Sequence, residues 1–241
     1  MRIALISDLH ANEVALKAVV ADIEQIGADQ IVCLGDLATL GPSPAAVVGM
    51  VREMAWPCIL GNHDAFMIQP DLIKQYTQNP MVIESVDWCR SQLCREDLAF
   101  LATLKADHDI VVGAGTVRCY HGSPKSHMDD IIPTATCGEL DRMLDGVESA
   151  LMAVGHTHIQ MVLQHRGARI VNPGSVGLPF REYARRQTPN LIDGADYATI
   201  ESCNGHLNVS LRNVPLKKSA LRYAVQDSSI PLRPWLLQQY N

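Results

Sequence analysis

The chain has no block of lysine or arginine, no Cys-x-x-Cys pair, no apolar run of membrane-spanning length, and no repeat or low-complexity segment. Each absence excludes something. Nucleic-acid backbones are bound mainly by clustered positive charge, and this chain carries a net charge of −6, so nucleic acid is not an expected partner. A negative chain still binds phosphates where metal ions supply local positive charge. Seven cysteines, an odd number with several in apolar runs, do not read as a disulfide framework and suit reduced, mostly buried thiols in a cytosol. The apolar stretch at the N-terminus is short and meets charge at Asp8, unlike a signal peptide. No segment reaches the length of a membrane helix. The expectation is a soluble cytoplasmic protein with no membrane partner.

What is present is ordinary for a globular protein: 241 residues, 47% hydrophobic and 19% charged, enough to bury a core. Arg2–Ser7 reads as a buried strand. Glu13–Ile26 repeats apolar residues at helical spacing, with Asn12 placed to cap it and Gly27 to end it. Gln30–Leu34 is a second strand, Ser43-Pro44 opens a second helix, and Cys58–Leu60 is a brief third strand. This β-α-β-α-β order implies parallel pairing with crossover helices. Asp64 to Lys105 reads as mostly helical. Strands follow at His108–Val112 and Thr116–Tyr120, a helix at Cys137–Asp145, and strands at Leu151–Val154, Met161–Gln164 and Arg169–Val171. Tyr197–Ser202 and Leu207–Arg212 form a hairpin across Asn204-Gly205. The tail after Val214 has no clear pattern. No linker divides the chain, so a single domain over 1–241 is expected.

Polar residues stand at the ends of these strands: Asp8-Leu9-His10, Gly35-Asp36, Gly61-Asn62-His63-Asp64, His121-Gly122 and Gly155-His156-Thr157-His158. In open α/β sheets ligands bind beyond the carboxyl ends of strands, which would gather these groups along one edge. Asp, Asn and His offer oxygen and imidazole donors, suited to divalent ions such as Mn, Fe or Zn rather than to a thiolate site. Asp8 and His10 are two residues apart, so an extended backbone would aim both side chains the same way, and His156 and His158 repeat the spacing. Asp36 has two carboxylate oxygens, enough to bridge two ions. Gly35, Gly61, Gly122 and Gly155 allow tight turns where strands stop.

Taken in order, these segments resemble the calcineurin-like metallophosphoesterase superfamily, whose pattern is D-x-H, GD, GNH(D/E), H and GHxH. The flanking stretches GDLATLGPSP, YHGSP and VNPGSVGLP look like its compact bacterial and archaeal phosphodiesterase branch, extending the likeness to about residue 180. The resemblance implies an αββα fold, a mixed β-sandwich flanked by helices, with a helical cap-like insertion at about 65–105. It implies two divalent metal ions (Mn, Fe, Zn, Ni or Co). Asp8, His10, Asp36 and His158 would hold the first, and Asp36, Asn62, His121 and His156 the second, roughly 3.5–4 Å away. A shared hydroxide would attack phosphorus, and His63 would donate a proton or hydrogen bond to the leaving oxygen. Asp64 would orient His63 or raise its pKa. The implied partner is a phosphorylated small molecule or nucleotide.

Other residues have plainer accounts. Asn12 is read first as a helix cap and second as a substrate contact. Arg181 is read as a solvated arginine, with phosphate binding as the alternative. The run Arg181–Arg186 reads as a mobile charged face, and the Asn172–Ser175 segment as a turn or a cleft loop. His108, His127, His165 and His206 are read as ordinary, although His127 follows the His121 loop. Two rival functions stand. Protein Ser/Thr phosphatases carry an Arg after the GD motif, and none follows Gly35-Asp36 here. A metal-binding scaffold with little turnover is the non-enzymatic rival.

Overall fold

The computed structural model describes residues 1–113, 115–147, 149–184 and 187–241. The chain runs β1 (Arg2–Ile6), α1 (Glu13–Ile26), β2 (Gln30–Cys33), α2 (Pro44–Glu53) and α3 (Asn62–Ile68). A 3-10 turn at Pro70–Leu72 leads into α4 (Ile73–Tyr76), α5 (Pro80–Ser91) and α6 (Arg95–Leu101). Then come β3 (Asp107–Val112), β4 (Gly115–Tyr120), α7 (Cys137–Leu144), β5 (Leu151–Ala153), β6 (Met161–His165) and β7 (Ala168–Asn172). The last elements are β8 (Ala195–Cys203), β9 (His206–Val214), α8 (Lys218–Gln226) and α9 (Arg233–Gln239).

Two mixed sheets result, in the strand orders β2-β1-β8-β9 and β3-β4-β5-β7-β6. β1 pairs in parallel with β2 and antiparallel with β8. β4, β5 and β7 pair in parallel, with β3 and β6 antiparallel at the edges. The two-residue periodicity of a strand explains the layering. In β1, Ile3 and Leu5 face the second sheet and meet Val117, Cys119, Leu151 and Val171. Ala4 and Ile6 point the other way, onto Leu16 and Val19 of α1 and Val47 and Val51 of α2. On the far side, Met152 and Ile170 pack on Leu140 and Leu144 of α7. The layers are helix, sheet, sheet, helix. Each fully buried aliphatic side chain contributes about 1.5–3 kcal/mol. Phe66, Met67, Ile73, Val86 and Leu101 from the 62–101 helices join the core under α1 and α2.

Local chemistry sets the boundaries. Asn12 Oδ1 accepts from Ala15 N at 3.1 Å, and Gly27 closes α1 at φ 67. Asn204 and Gly205 turn the β8–β9 hairpin with φ of 50 and 79. The expected third strand is absent as a strand: Cys58 bridges Cys33, and Ile59 turns to a different partner, Lys105. Two residues with two partners are too few for a ladder. The unassigned tail forms α8 and α9, whose Leu221, Val225, Leu236 and Tyr240 cover Cys89 and Leu178. Among the described residues, no helix is long and apolar enough to cross a membrane.

Candidate metal centre

The segments after β1, β2, Ile59, β4 and β5 meet at one edge. Ligand atoms of Asp8, His10 and His158 lie within 4.8 Å of one another, and so do those of Asp36, His121 and His156. The two groups adjoin. Asp8 Oδ1 is 3.3 Å from His158 Nε2 and 3.9 Å from both His10 Nε2 and His121 Nε2. Asp36 Oδ2 is 3.3 Å from His121 Nε2 and 3.8 Å from His10 Nε2, so it stands between the groups. Asn62 Oδ1 is 3.1 Å from His121 Nε2. All seven residues predicted as ligands from the sequence are buried and gathered here.

Backbone carbonyls behind two of the rings fix which ring atoms face inward. His121 Nδ1 donates to Leu34 O at 2.6 Å, and His158 Nδ1 donates to Leu178 O at 2.7 Å. A carbonyl only accepts, so Nδ1 of each ring bears a hydrogen and Nε2 is turned inward, where it could coordinate a cation. Asp8 Oδ1, Asp36 Oδ2 and Asn62 Nδ2 are buried without a hydrogen-bond partner among the described residues. Buried polar atoms are normally paired, and orphaned carboxylate oxygens facing inward imidazoles are what a divalent cation satisfies. The residues present fit metal ions with mixed oxygen and nitrogen ligation.

The backbone achieves this in an unexpected way. Asp8, His10, Asp36, His156 and His158 have φ of 53, 42, 60, 66 and 58. The extended backbone expected at these paired ligands is therefore overturned: the side chains converge because the chain coils left-handedly at each one. Non-glycine residues are uncommon there, and the strain persists only where surroundings over-determine it. Here neighbouring loops do so: Asp8 N donates to Gly35 O (3.0 Å), His10 N to Asp36 O (2.9 Å), and His156 N to Asp8 Oδ2 (3.1 Å). The turn role expected of the four glycines holds by dihedral at Gly35, φ 96, but Gly61 and Gly155 matter for space. A Cβ at Gly61 would meet the Asp36 carboxylate, and one at Gly155 the Ser7 side chain.

His63 is buried beside these ligands, its ring centroid 5.1 Å from that of His10. Burial outweighs nearby Asp36 and lowers its pKa to about 4. The expectation that Asp64 orients His63 or raises its pKa is corrected. Asp64 Oδ2 accepts from Asp36 N (2.8 Å) and Gly61 N (3.1 Å), and Oδ1 from Leu37 N (2.8 Å). It clamps the Gly35-Asp36 and Gly61-Asn62 loops together, while burial and Asp36 push its own pKa up to about 7. The group that holds His63 is Thr39, whose Oγ1 lies 2.8 Å from His63 Nδ1. The sequence offered one hint of this, a hydroxyl three residues past Asp36 in the otherwise apolar Leu37-Ala38-Thr39-Leu40.

Charge balance points the same way. Burial raises the Asp8 carboxyl, but His158 and His121 hold it down at about 2. Burial disfavours charge on His121, yet Asp36 and Asp8 raise its pKa to about 10. The two carboxylates demand positive charge between them. Around the rim, Tyr76 of α4 has its ring centroid 5.6 Å from His63 and 6.3 Å from His156, Phe180 stacks on His158 at 4.1 Å, and Asp130 Oδ1 is 3.4 Å from His156 Nε2. None of the three was singled out from the sequence.

The two candidate substrate contacts, Asn12 and Arg181, differ in how they are held. The Asn12 amide is buried and spent: it caps α1, and its Nδ2 donates to Gly177 O at 3.0 Å. Arg181 is exposed, one residue beyond Phe180, with its backbone N–H bonded to Asn190 O. Arg185 and Arg186, from the expected charged face, lie outside the described residues. The Asn172–Ser175 loop braces the centre from behind. Asn172 Nδ2 donates to Gly155 O (2.7 Å), and Ser175 Oγ donates to Asp8 O (2.7 Å).

Comparison with known proteins shows the family and the fold. Residues 1–192 match the family model described as the calcineurin-like phosphoesterase superfamily domain. An uncharacterized protein of Methanocaldococcus jannaschii is 27% identical over 220 residues, covering 81% of this chain and 84% of its own length. The crystal structure of a metallophosphoesterase from Sphaerobacter thermophilus superposes with a TM-score of 0.76 and 27% identity, covering 100% of this chain and 98% of that one. A hypothetical protein from Pyrococcus horikoshii shares the fold at a TM-score of 0.80 and 18% identity, over 98% of this chain and 96% of that one. With four-fifths of its length matched by the family model and its polar strand ends gathered into one buried cluster, the chain belongs to the calcineurin-like phosphoesterase superfamily.

Proposed function

We propose that this protein hydrolyses phosphoester bonds of small phosphorylated molecules or nucleotides, using two divalent ions held at the site described. One observation carries the proposal: two carboxylate oxygens, Asp8 Oδ1 and Asp36 Oδ2, are buried without partners among inward-facing imidazoles. Asp8, His10 and His158 would hold one ion, His121, His156 and Asn62 the other, with Asp36 shared. Such ions, Mn, Fe, Zn, Ni or Co, would supply Lewis-acid charge for the phosphate oxygens and acidify a water nucleophile. Leu34 O and Leu178 O engage Nδ1 of His121 and His158, which aims Nε2 of each ring at the ions. His63 offers a hydrogen to the leaving oxygen. Tyr76, 46% exposed above His63, gives an aryl or nucleobase group a face to rest on. Seven unpaired thiols suit a cytoplasmic setting.

The test is metal-dependent release of p-nitrophenol from bis-p-nitrophenyl phosphate and from the monoester. The wild type should turn over with Mn. Asp36→Asn should lose metal and rate together. On an alkyl phosphodiester, whose leaving oxygen needs a proton, His63→Ala should keep its metal and lose rate roughly 10²–10⁴-fold, the span of general acid catalysis. Metal binding without hydrolysis of either ester would favour the scaffold reading instead.

A further inference from the structure

The loop between β4 and α7 returns to the centre it starts from. It leaves the sheet at His121, and further along it brings a carboxylate to His156: Asp130 Oδ1 is 3.4 Å from His156 Nε2. That separation matches the carboxylate–imidazole distances inside the two ligand groups, 3.3 Å from Asp8 Oδ1 to His158 Nε2 and 3.3 Å from Asp36 Oδ2 to His121 Nε2. Two atoms each about 2.1 Å from a Zn ion stand about 3.0–3.5 Å apart, so this is the spacing of groups that share an ion. The loop's own bonds put Asp130 there. Just before it, Asp129 Oδ2 accepts from Ser123 Oγ at 2.5 Å, and Ser123 Oγ accepts from Lys125 N (3.1 Å) and Ser126 N (3.2 Å). Just after it, Ile131 is buried in the cluster of Leu140 and Met152. The loop also folds closely on its start: a Cβ at Gly122 would fall 2.5 Å from Ser126 O. With both neighbours pinned, the Asp130 side chain stays at the rim, 42% exposed.

We infer that Asp130 is an exchangeable metal ligand: it completes the shell of the ion held by Asp36, Asn62, His121 and His156 on the side facing the cleft, and yields that position to a phosphate oxygen of the substrate. The inference rests on the two-ion reading above. Asp130 stands outside the group of Asp36, His121 and His156, whose ligand atoms all lie within 4.8 Å of one another, so it reaches the ion by rotation of its exposed side chain. The other four ligands are buried and fixed. A rim carboxylate differs from them in being able both to bind and to leave. Its exchange for a phosphate oxygen replaces one anionic oxygen by another and breaks no covalent bond.

The test is a crystal structure of the Zn-loaded wild type, solved with and without inorganic phosphate, beside calorimetric titrations with Zn and with phosphate. Without phosphate, an Asp130 oxygen should lie about 2.0–2.2 Å from one ion, and with phosphate a phosphate oxygen should stand in its place. Asp130→Ala should unfold like the wild type in chelator. It should bind one of its two Zn ions at least about tenfold more weakly, a loss that even an outer partner of a ligand brings. Its Zn-saturated form should bind phosphate several-fold more tightly, having no carboxylate to displace. Asp130→Glu should recover part of the Zn affinity. An Asp130 carboxylate beyond bonding reach of both ions in the phosphate-free structure overturns the inference, because the weaker Zn binding of Asp130→Ala would then be only the loss of a nearby charge. Equal Zn affinity in wild type and Asp130→Ala overturns it as well. Failure of the parent reading looks different: a wild type that takes up no Zn removes the metal site itself.

Discussion

Asp64 offers the sharpest test of how this centre is built, because sequence pattern and structure assign it different work. Its carboxylate accepts from three buried backbone N–H groups, at 2.8, 2.8 and 3.1 Å, drawn from two loops. Asp64→Ala leaves three buried donors unpaired. Each costs about 1–3 kcal/mol, so at least about 3 kcal/mol of stability should go. For a chain of this size that is a fall in Tm of about 6–12 °C. Asp64→Asn keeps one acceptor oxygen and sets an NH₂ group against the remaining amide, and should fall between. The measurement is thermal and urea unfolding in chelator, so that metal linkage does not contribute. Asp36 and Asn62 are spaced by this clamp, so metal affinity should weaken in step with stability. If Asp64→Asn instead unfolds like the wild type, binds metal normally and loses only turnover, Asp64 acts on His63 after all and the clamp argument is wrong.

Metal should stabilise the fold by mass action. At 100 times Kd, Mn or Zn should add about 2.7 kcal/mol to unfolding, and an unchanged Tm on titration would remove the metal site. Asn12→Ala should cost about 1 kcal/mol through its lost helix cap, with KM unchanged; an altered KM at wild-type stability would restore Asn12 as a substrate contact. Tyr76→Ala should raise KM for nucleotide esters several-fold while leaving methyl phosphate esters alone, and an equal effect on both would deny the ring a binding role.

Much of the centre was legible because its chemistry is written in residue types. Asp8, His10, Asp36, His121, His156 and His158 stand just past strand ends, and Asn62 opens α3 after the Cys58–Ile59 bridges, all in recognisable short motifs, and strands bring their ends together by pairing. Secondary structure was plain where periodicity was strong, as in Glu13–Ile26 and the β8–β9 hairpin. It failed where partners decide. Cys58–Ile59 looks like a strand by composition, but each residue finds a different neighbour. The faces of α8 and α9 make sense only against Cys89 and Leu178. Backbone handedness at the ligands was invisible, since nothing in Asp8-Leu9-His10 announces a positive φ. Thr39 was missed because a single hydroxyl carries no motif, and its meaning comes from His10 on another loop and His63 in α3.

The left-handed turn at five ligand positions has an evolutionary corollary. Those are places where the polypeptide by itself would prefer glycine. Were hydrolysis no longer selected, Asp8 or Asp36 drifting to glycine would relieve torsional strain and disperse buried like charge at one stroke, so decay of the centre and gain in robustness would run together. Retained aspartate and histidine at such sites is the mark of a fold held away from its most comfortable sequence.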